Sequence, residues 1–205
     1  MHPRAAAVPT GSGIRFVHLV RAVRARLPDA RYRHVLGVAR MAEKLARRYG
    51  ISRASARMAA ILHDIARQWT PDALVAYAAE HRIVANESER AAPILLHAKV
   101  AADIARREFG VTDEDVLAAI ETHTVAVPGM SDLQKVIFLA DTFEPSRTFP
   151  ARAALEAAAL RSLDEGMLAC VKASLEYLMS RDVPIAPQTL EVYNTLVRGN
   201  NGPTS

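Results

Sequence analysis

Aromatic residues make up only 5% of the 205-residue chain, cysteine occurs once, and four lysines stand against 22 arginines. The lone Cys170 rules out an intrachain disulfide, which predicts a reducing compartment and a small core role for the thiol. No uncharged run reaches the length of about 18 residues that a membrane span needs. The opening MHPRAAAVPTGSG holds no apolar stretch of signal-peptide length, so a cytosolic, soluble protein with no membrane partner is expected. Basic runs with interleaved aromatics are missing, which argues against nucleic acid as a partner. Period-two alternation and internal repeats are missing too, and no strand is predicted.

What remains is alanine in charged, periodic segments, half of the residues being apolar, and this predicts an all-α fold of closely packed helices in one domain. The formal charge of +4 is read mainly as coding bias, although arginine suits planar, bidentate contact with phosphate. Residues 1–13 and 199–205, rich in Gly, Pro and small polar residues, are expected to be disordered tails flanking a helical domain over 14–198.

Start and stop signals divide that domain. Helices are predicted over Ile14–Leu27, Arg31–Tyr49 with Gly50 as its stop, and Arg53–Arg67 after Ser52. Another follows Thr70-Pro71, an N-cap with proline at the first helical position. Leu96–Phe109 should end at Gly110, Thr112 with Asp115 reads as a capping box for the segment reaching Thr124, and Ser131 with Gln134 repeats that signature. The helix opened at Ser131 should end before Pro145. Ala151–Leu160, Leu163–Arg181 and Gln188–Arg198 complete the series.

Several of these helices carry polar residues where apolar ones are expected. His34, Val38, Met41 and Leu45 form one buried stripe, His63 shares a face with Ala56 and Ala59 or Ala60, and His123 follows Val116 and Ala119 or Ile120 at the same spacing. Asp141 follows Ile137 or Phe138 in the same way. A buried carboxylate is very costly unless paired or bound to metal, so Asp64 and Asp141 need partners. The His63-Asp64 dipeptide alone says little, since about one chance occurrence is expected in every three chains of this composition. Taken together, His34, His63, Asp64 and Asp141 offer two imidazole nitrogens and two carboxylates, a set suited to a divalent or redox-active first-row metal. A metal-activated water could then attack phosphorus, with His97 and His123 near the same centre.

The segments RYRHVLGVARMAEKLARRYG, AAILHDIAR, LLHAKVAADIARREFG, IETHTVAVPGMSDLQKVIFLADTFEPSRTFP and PIAPQTLEVYN resemble, in order and spacing, an HD-domain hydrolase. The likeness is closer to the bacterial symmetrical diadenosine tetraphosphate hydrolases, and ADTFEPSRTFP is its most specific part. The resemblance implies an HD-type helical bundle with C-terminal helices packed on it, an iron-favoured centre that manganese or another divalent metal could replace, and cleavage of the dinucleotide into two ADP. It assigns His34, His63, Asp64 and Asp141 to the metal, and Asp64, His97 and His123 to catalysis, the two histidines binding phosphate or a second metal. Arg31, Arg67, Thr124 and Arg147 fall near the nucleotide with those ligands, and Pro184, Ile185, Ala186, Pro187, Gln188 and Thr189 beside its base or ribose. Three departures touch the phosphate pocket: Arg67 replaces a lysine, and Ala98 and Ala126 replace glycines. An HD nucleotidase or nucleoside-triphosphate hydrolase, and a nucleotide-binding regulator, are the alternative readings, and a homodimer is left open.

Overall fold

The computed structural model describes residues 16–200, and among these it is entirely helical. The chain runs through α1 (Phe16–Arg26), α2 (Asp29–Tyr49), α3 (Arg53–Leu62), α4 (Pro71–Glu80), α5 (Glu87–Ala91), a 3₁₀ turn Pro93–Leu96, α6 (His97–Phe109), α7 (Glu114–Glu121), α8 (Asp132–Phe143), α9 (Arg152–Arg161), α10 (Leu163–Ser180) and α11 (Pro187–Asn200). The all-α expectation holds. None of the described helices is long and apolar enough to cross a membrane. The expected tails over 1–13 and 201–205 lie outside the described residues, while Gly199 and Asn200 belong to α11.

Most helix ends are set by the predicted residues. Gly50 and Gly110 close α2 and α6 with φ of 70° and 64°, a left-handed conformation that glycine adopts without a Cβ penalty. Ser52 and Thr70 cap α3 and α4, and Ser131 with Gln134 forms the expected capping box on α8.

Three readings are corrected. The helix from Arg53 stops at Leu62 rather than Arg67, because the backbone tightens to i→i+3 bonds, with Ile65 N to Leu62 O at 3.1 Å and Arg67 N to Asp64 O at 2.9 Å. The cap of α7 is Asp113, not Thr112: its carboxylate accepts from Asp115 N and Val116 N, and Asp115 is too short to return the bond that Glu or Gln gives in a capping box. The short α5 was missed, although Asn86 and Glu89 form a full capping box there.

One buried cluster runs from Leu19 in α1 to Val192 in α11, built from Ala, Leu, Val and Ile with few rings. Helices α2, α3, α7 and α8 pack on one another, α6 leans on α7, and α9 and α10 pair on the side of α8. Fully buried Ala56, Ala59 and Ala60 allow the close approach of α3 that the alanine pattern suggested. Cys170 lies in the same core, where burial pushes its thiol up to about 12, so it is inert.

Helices α9 and α10 pack closely at Gly166 of α10, where a Cβ would stand 2.7 Å from both Cα and Cβ of Ala159 in α9. Gly166→Ala should therefore destabilise by about 1–3 kcal/mol through overpacking, more than the gain of about 1 kcal/mol from helix propensity. Denaturant unfolding measures this, and a variant as stable as the parent would contradict the close packing.

Candidate metal centre

Five helix ends converge on one point. His34 lies in the second turn of α2, His63 caps the C-terminus of α3 with Asp64 next to it, His97 opens α6, His123 follows the end of α7, and Asp141 lies in the last turn of α8. His63 and Asp64 are neighbours at the point where α3 gives way to i→i+3 turns, and Asp64 Oδ2 lies 3.3 Å from His63 Nε2.

Three of the four histidines are held in the same way. His63 Nδ1 lies 2.7 Å from Ala60 O, His97 Nδ1 2.5 Å from Ile94 O, and His123 Nδ1 2.7 Å from Ile120 O. Each carbonyl lies three residues back: Ala60 and Ile120 in the last turns of α3 and α7, where carbonyls lack helical partners, and Ile94 in the 3₁₀ turn before α6. A carbonyl can only accept, so each Nδ1 carries a proton and each Nε2 turns inward, where it can take a cation or a second proton. His34 Nδ1 instead faces the buried carboxylate of Glu144, 3.1 Å from Oε1.

The inward atoms lie close together without satisfying one another. His34 Nε2 is 3.0 Å from Asp141 Oδ1 and 3.5 Å from Asp64 Oδ2, and His63 Nε2 is 3.8 Å from Asp141 Oδ1. Even so, Nε2 of His34 and of His63 are buried atoms with no hydrogen-bond partner. His97 and His123 approach with Nε2 atoms 3.2 Å apart, and both face Asp64 Oδ1, at 3.4 and 3.6 Å. With both Nδ1 atoms protonated, two lone pairs would meet there, so a proton or a cation must lie between them. Asp64 thus turns Oδ2 toward His34 and His63 and Oδ1 toward His97 and His123.

These spacings fit ligands arranged around a common ion. Metal to nitrogen or oxygen bonds of about 2.1 Å place adjacent ligand atoms about 3 Å apart. His34, His63 and Asp141 present ligand atoms within 4.8 Å of one another, as do His63, Asp64 and His123. Orphaned, buried imidazole nitrogens beside two carboxylates are the donor set of a borderline first-row cation. The residues fit a metal.

The electrostatics agree. Burial opposes ionisation of Asp64, but the charge of His63 and contacts from His123, His63 and His97 hold its carboxyl well below the usual range. Asp141 is also held low: burial works against it, and His34, His63 and His123 overcome that. Burial disfavours the His63 imidazolium, yet Asp64 and then Asp141 raise its pKa above the ordinary value. For His97 burial prevails over Asp64 and the pKa falls. Arg31 Nη1 donates to Asp64 Oδ2 at 2.8 Å and Arg147 Nη2 to Asp141 Oδ1 at 3.0 Å, so both arginines stand at the rim.

Comparison with known proteins decides the family. The family model for the HD domain matches residues 31–146. The chain is 37% identical over 178 residues to the symmetrical bis(5'-nucleosyl)-tetraphosphatase of Bacillus subtilis, covering 87% of this chain and 95% of that protein. It is 31% identical to the Staphylococcus aureus protein of the same name, over 85% and 90% of the two chains. The chain belongs to the HD-domain family of symmetrical bis(5'-nucleosyl)-tetraphosphatases. A crystal structure from Clostridium acetobutylicum, described as a predicted HD superfamily hydrolase involved in NAD metabolism, superposes with a TM-score of 0.86 at 28% identity, covering 91% of this chain and 98% of that one.

Within this tetraphosphatase framework, His34, His63, Asp64, His97, His123, Asp141, Arg31 and Arg147 come together. The other predicted residues are less directly placed. Arg67 and Thr124 lie half-buried beside the cluster in sequence, while Pro184, Ile185 and Ala186 lead into α11 and Pro187, Gln188 and Thr189 form its first turn. Among the described residues, none of these eight hydrogen-bonds or ion-pairs with the cluster. Thr189 N donates to Ala186 O at 3.0 Å, and Gln188 Oε1 is buried without a partner. Ala98 and Ala126, where the family has glycines, are both buried. The sequence reading missed Glu144, which is 1% exposed, although it sits inside the ADTFEPSRTFP segment that carried the resemblance.

The two kinds of shift give opposite pH dependences. A depressed carboxylate contributes stability that is present above its unfolded value of about 3.9 and lost on acidification. The raised His63 contributes stability that is complete below about pH 6.5 and lost as pH rises through its folded value. The lowered His97 works the other way, its stability gained as pH rises and complete above about pH 6.5. Metal-free protein should therefore lose thermal stability from about pH 7 to pH 8, and added Mn²⁺ should raise Tm more at pH 8, where imidazole ligands are deprotonated. Thermal unfolding of chelator-treated protein across this window tests the balance. A metal-free Tm that rises toward pH 8 would contradict it.

Proposed function

We propose that this protein hydrolyses diadenosine tetraphosphate symmetrically, giving two ADP, at a divalent cation held by His34, His63, Asp64 and Asp141. The observation that carries this reading is the pair of buried, unpartnered Nε2 atoms of His34 and His63 facing two ionised carboxylates. Similarity over most of the chain to proteins named for this reaction supports the substrate. Iron is the metal favoured by the family resemblance, and manganese suits the same nitrogen and oxygen donors. Bound there, the cation supplies Lewis acidity that lowers the pKa of water and stabilises charge on phosphoryl oxygens. The proposed location is the cytoplasm, in keeping with a single, inert thiol.

The chain's own residues account for the rest. Water adds to one of the two inner phosphorus atoms, the bond from that phosphorus to the central bridging oxygen breaks, and that oxygen leaves on the second ADP. His97 and His123 face the same space and offer N–H donors to phosphoryl oxygens whenever Nε2 is protonated. Asp64 Oδ1 faces both, at 3.4 and 3.6 Å, while Ile94 O and Ile120 O hold the rings in place. Arg31 and Arg147 reach the rim from opposite carboxylates, where guanidinium groups can engage the remaining phosphates through charge-assisted bonds. Pro184–Thr189 are assigned to the nucleoside on resemblance alone.

His63→Ala and Asp64→Ala should each abolish metal retention and phosphohydrolase activity while circular dichroism stays helical. Arg147→Ala should retain metal and lose about 10- to 100-fold in kcat/KM, the cost of one hydrogen bond to a charged group. The decisive assay resolves the products of the manganese- or iron-loaded protein by chromatography. Two ADP per dinucleotide support the proposal. AMP with ATP, or turnover of mononucleotides only, would replace it with another HD phosphohydrolase and point to Arg67, Ala98 and Ala126.

A further inference from the structure

Glu144 is a buried carboxylate with a full set of partners. His34 Nδ1 lies 3.1 Å from Oε1, Ser146 N donates to Oε2 at 2.8 Å, and the Ser146 hydroxyl donates to Oε1. It follows α8 directly, three residues after Asp141, and the Pro145 that ends the helix turns the chain so that Ser146 folds back on it. Opposite stands Gly37, a buried glycine in the interior of α2, one turn after His34. Apart from proline, glycine is the poorest residue for such a position. A Cβ on Gly37 would overlap Glu144 Oε2 and stand 3.0 Å from Cδ. The carboxylate could yield only by giving up Ser146 or His34.

We propose that Glu144 is a positioning residue for His34 and that Gly37 is glycine to make room for it. The carboxylate holds a proton on His34 Nδ1, which leaves Nε2 aimed at Asp141 and Asp64 and makes that nitrogen a stronger donor. Three histidines of the centre obtain this service from backbone carbonyls; His34, early in its helix, has no terminal carbonyl near and takes it from a side chain. The space at Gly37 and the bond at His34 are then one device. The inference rests on the metal reading of the site.

Its signature is non-additivity. By competitive titration with Mn²⁺, Glu144→Ala should bind about 10- to 100-fold more weakly, as loss of an outer partner of a metal-binding histidine does. Gly37→Ala should weaken binding at least about tenfold, and the double variant should be no weaker than Glu144→Ala, because the clash disappears with the carboxylate. Glu144→Gln keeps an acceptor for Nδ1–H and should recover most of the affinity. Nitrogen-15 NMR of His34 should show Nδ1 protonated in wild-type protein, both metal-free and Zn²⁺-loaded. Wild-type affinity in Gly37→Ala, additive losses, or a bare Nδ1 would each overturn the proposal. So would a lower Tm with affinity and protonation unchanged, the mark of a merely structural contact. A wild-type protein that binds no metal would instead sink the metal reading, with the Nδ1 measurement still deciding the role of Glu144.

Discussion

Two ionised carboxylates, Asp64 and Asp141, are confined among four imidazoles where five helix ends meet, and that concentration of charge constrains the surrounding structure. Isolated carboxylates in such a place would protonate or unfold their surroundings. Here they stay ionised because the charge of His63 and contacts from the other imidazoles outweigh burial, with Arg31 and Arg147 paired to the same two carboxylates. A divalent cation concentrates the same compensation in one atom and uses the nitrogen lone pairs that are otherwise unpaired.

The helix ends supply the orientation. Terminal carbonyls of an α-helix lack intrahelical partners. At Ala60 and Ile120 such carbonyls accept from an imidazole three residues on, and Ile94 O in the 3₁₀ turn before α6 does the same for His97. One hydrogen bond thus closes a turn and selects a tautomer. This accounts for His63 and His123 standing where α3 and α7 end. Closely packed alanines at Ala56, Ala59 and Ala60 bring α3 near enough for the ends to converge.

Much of this was legible in the sequence because local signals and chemistry agreed. Glycine stops, Ser and Thr caps and the 3.6-residue period marked most helices, and inward polar residues at His34, His63, His123 and Asp141 marked the cluster. Legibility failed where geometry is not periodic. The tightening after Leu62 leaves the hydrophobic pattern of a helix intact, so the predicted end overran to Arg67. Asp113 and Thr112 are both good caps, and only the backbone path chooses between them. Glu144 escaped because it serves His34, 110 residues away, and faces a glycine that looks like a flaw in α2.

One cation lying among these side chains would complete the site. Crystals of protein purified without air, measured for anomalous scattering on either side of the iron and manganese edges, locate such an ion without reference to activity. A peak within bonding distance of His34 Nε2, His63 Nε2, Asp64 and Asp141 is predicted. Electron density showing His34 and His63 bonded only to the carboxylates, or an anomalous peak held by other residues, would contradict it.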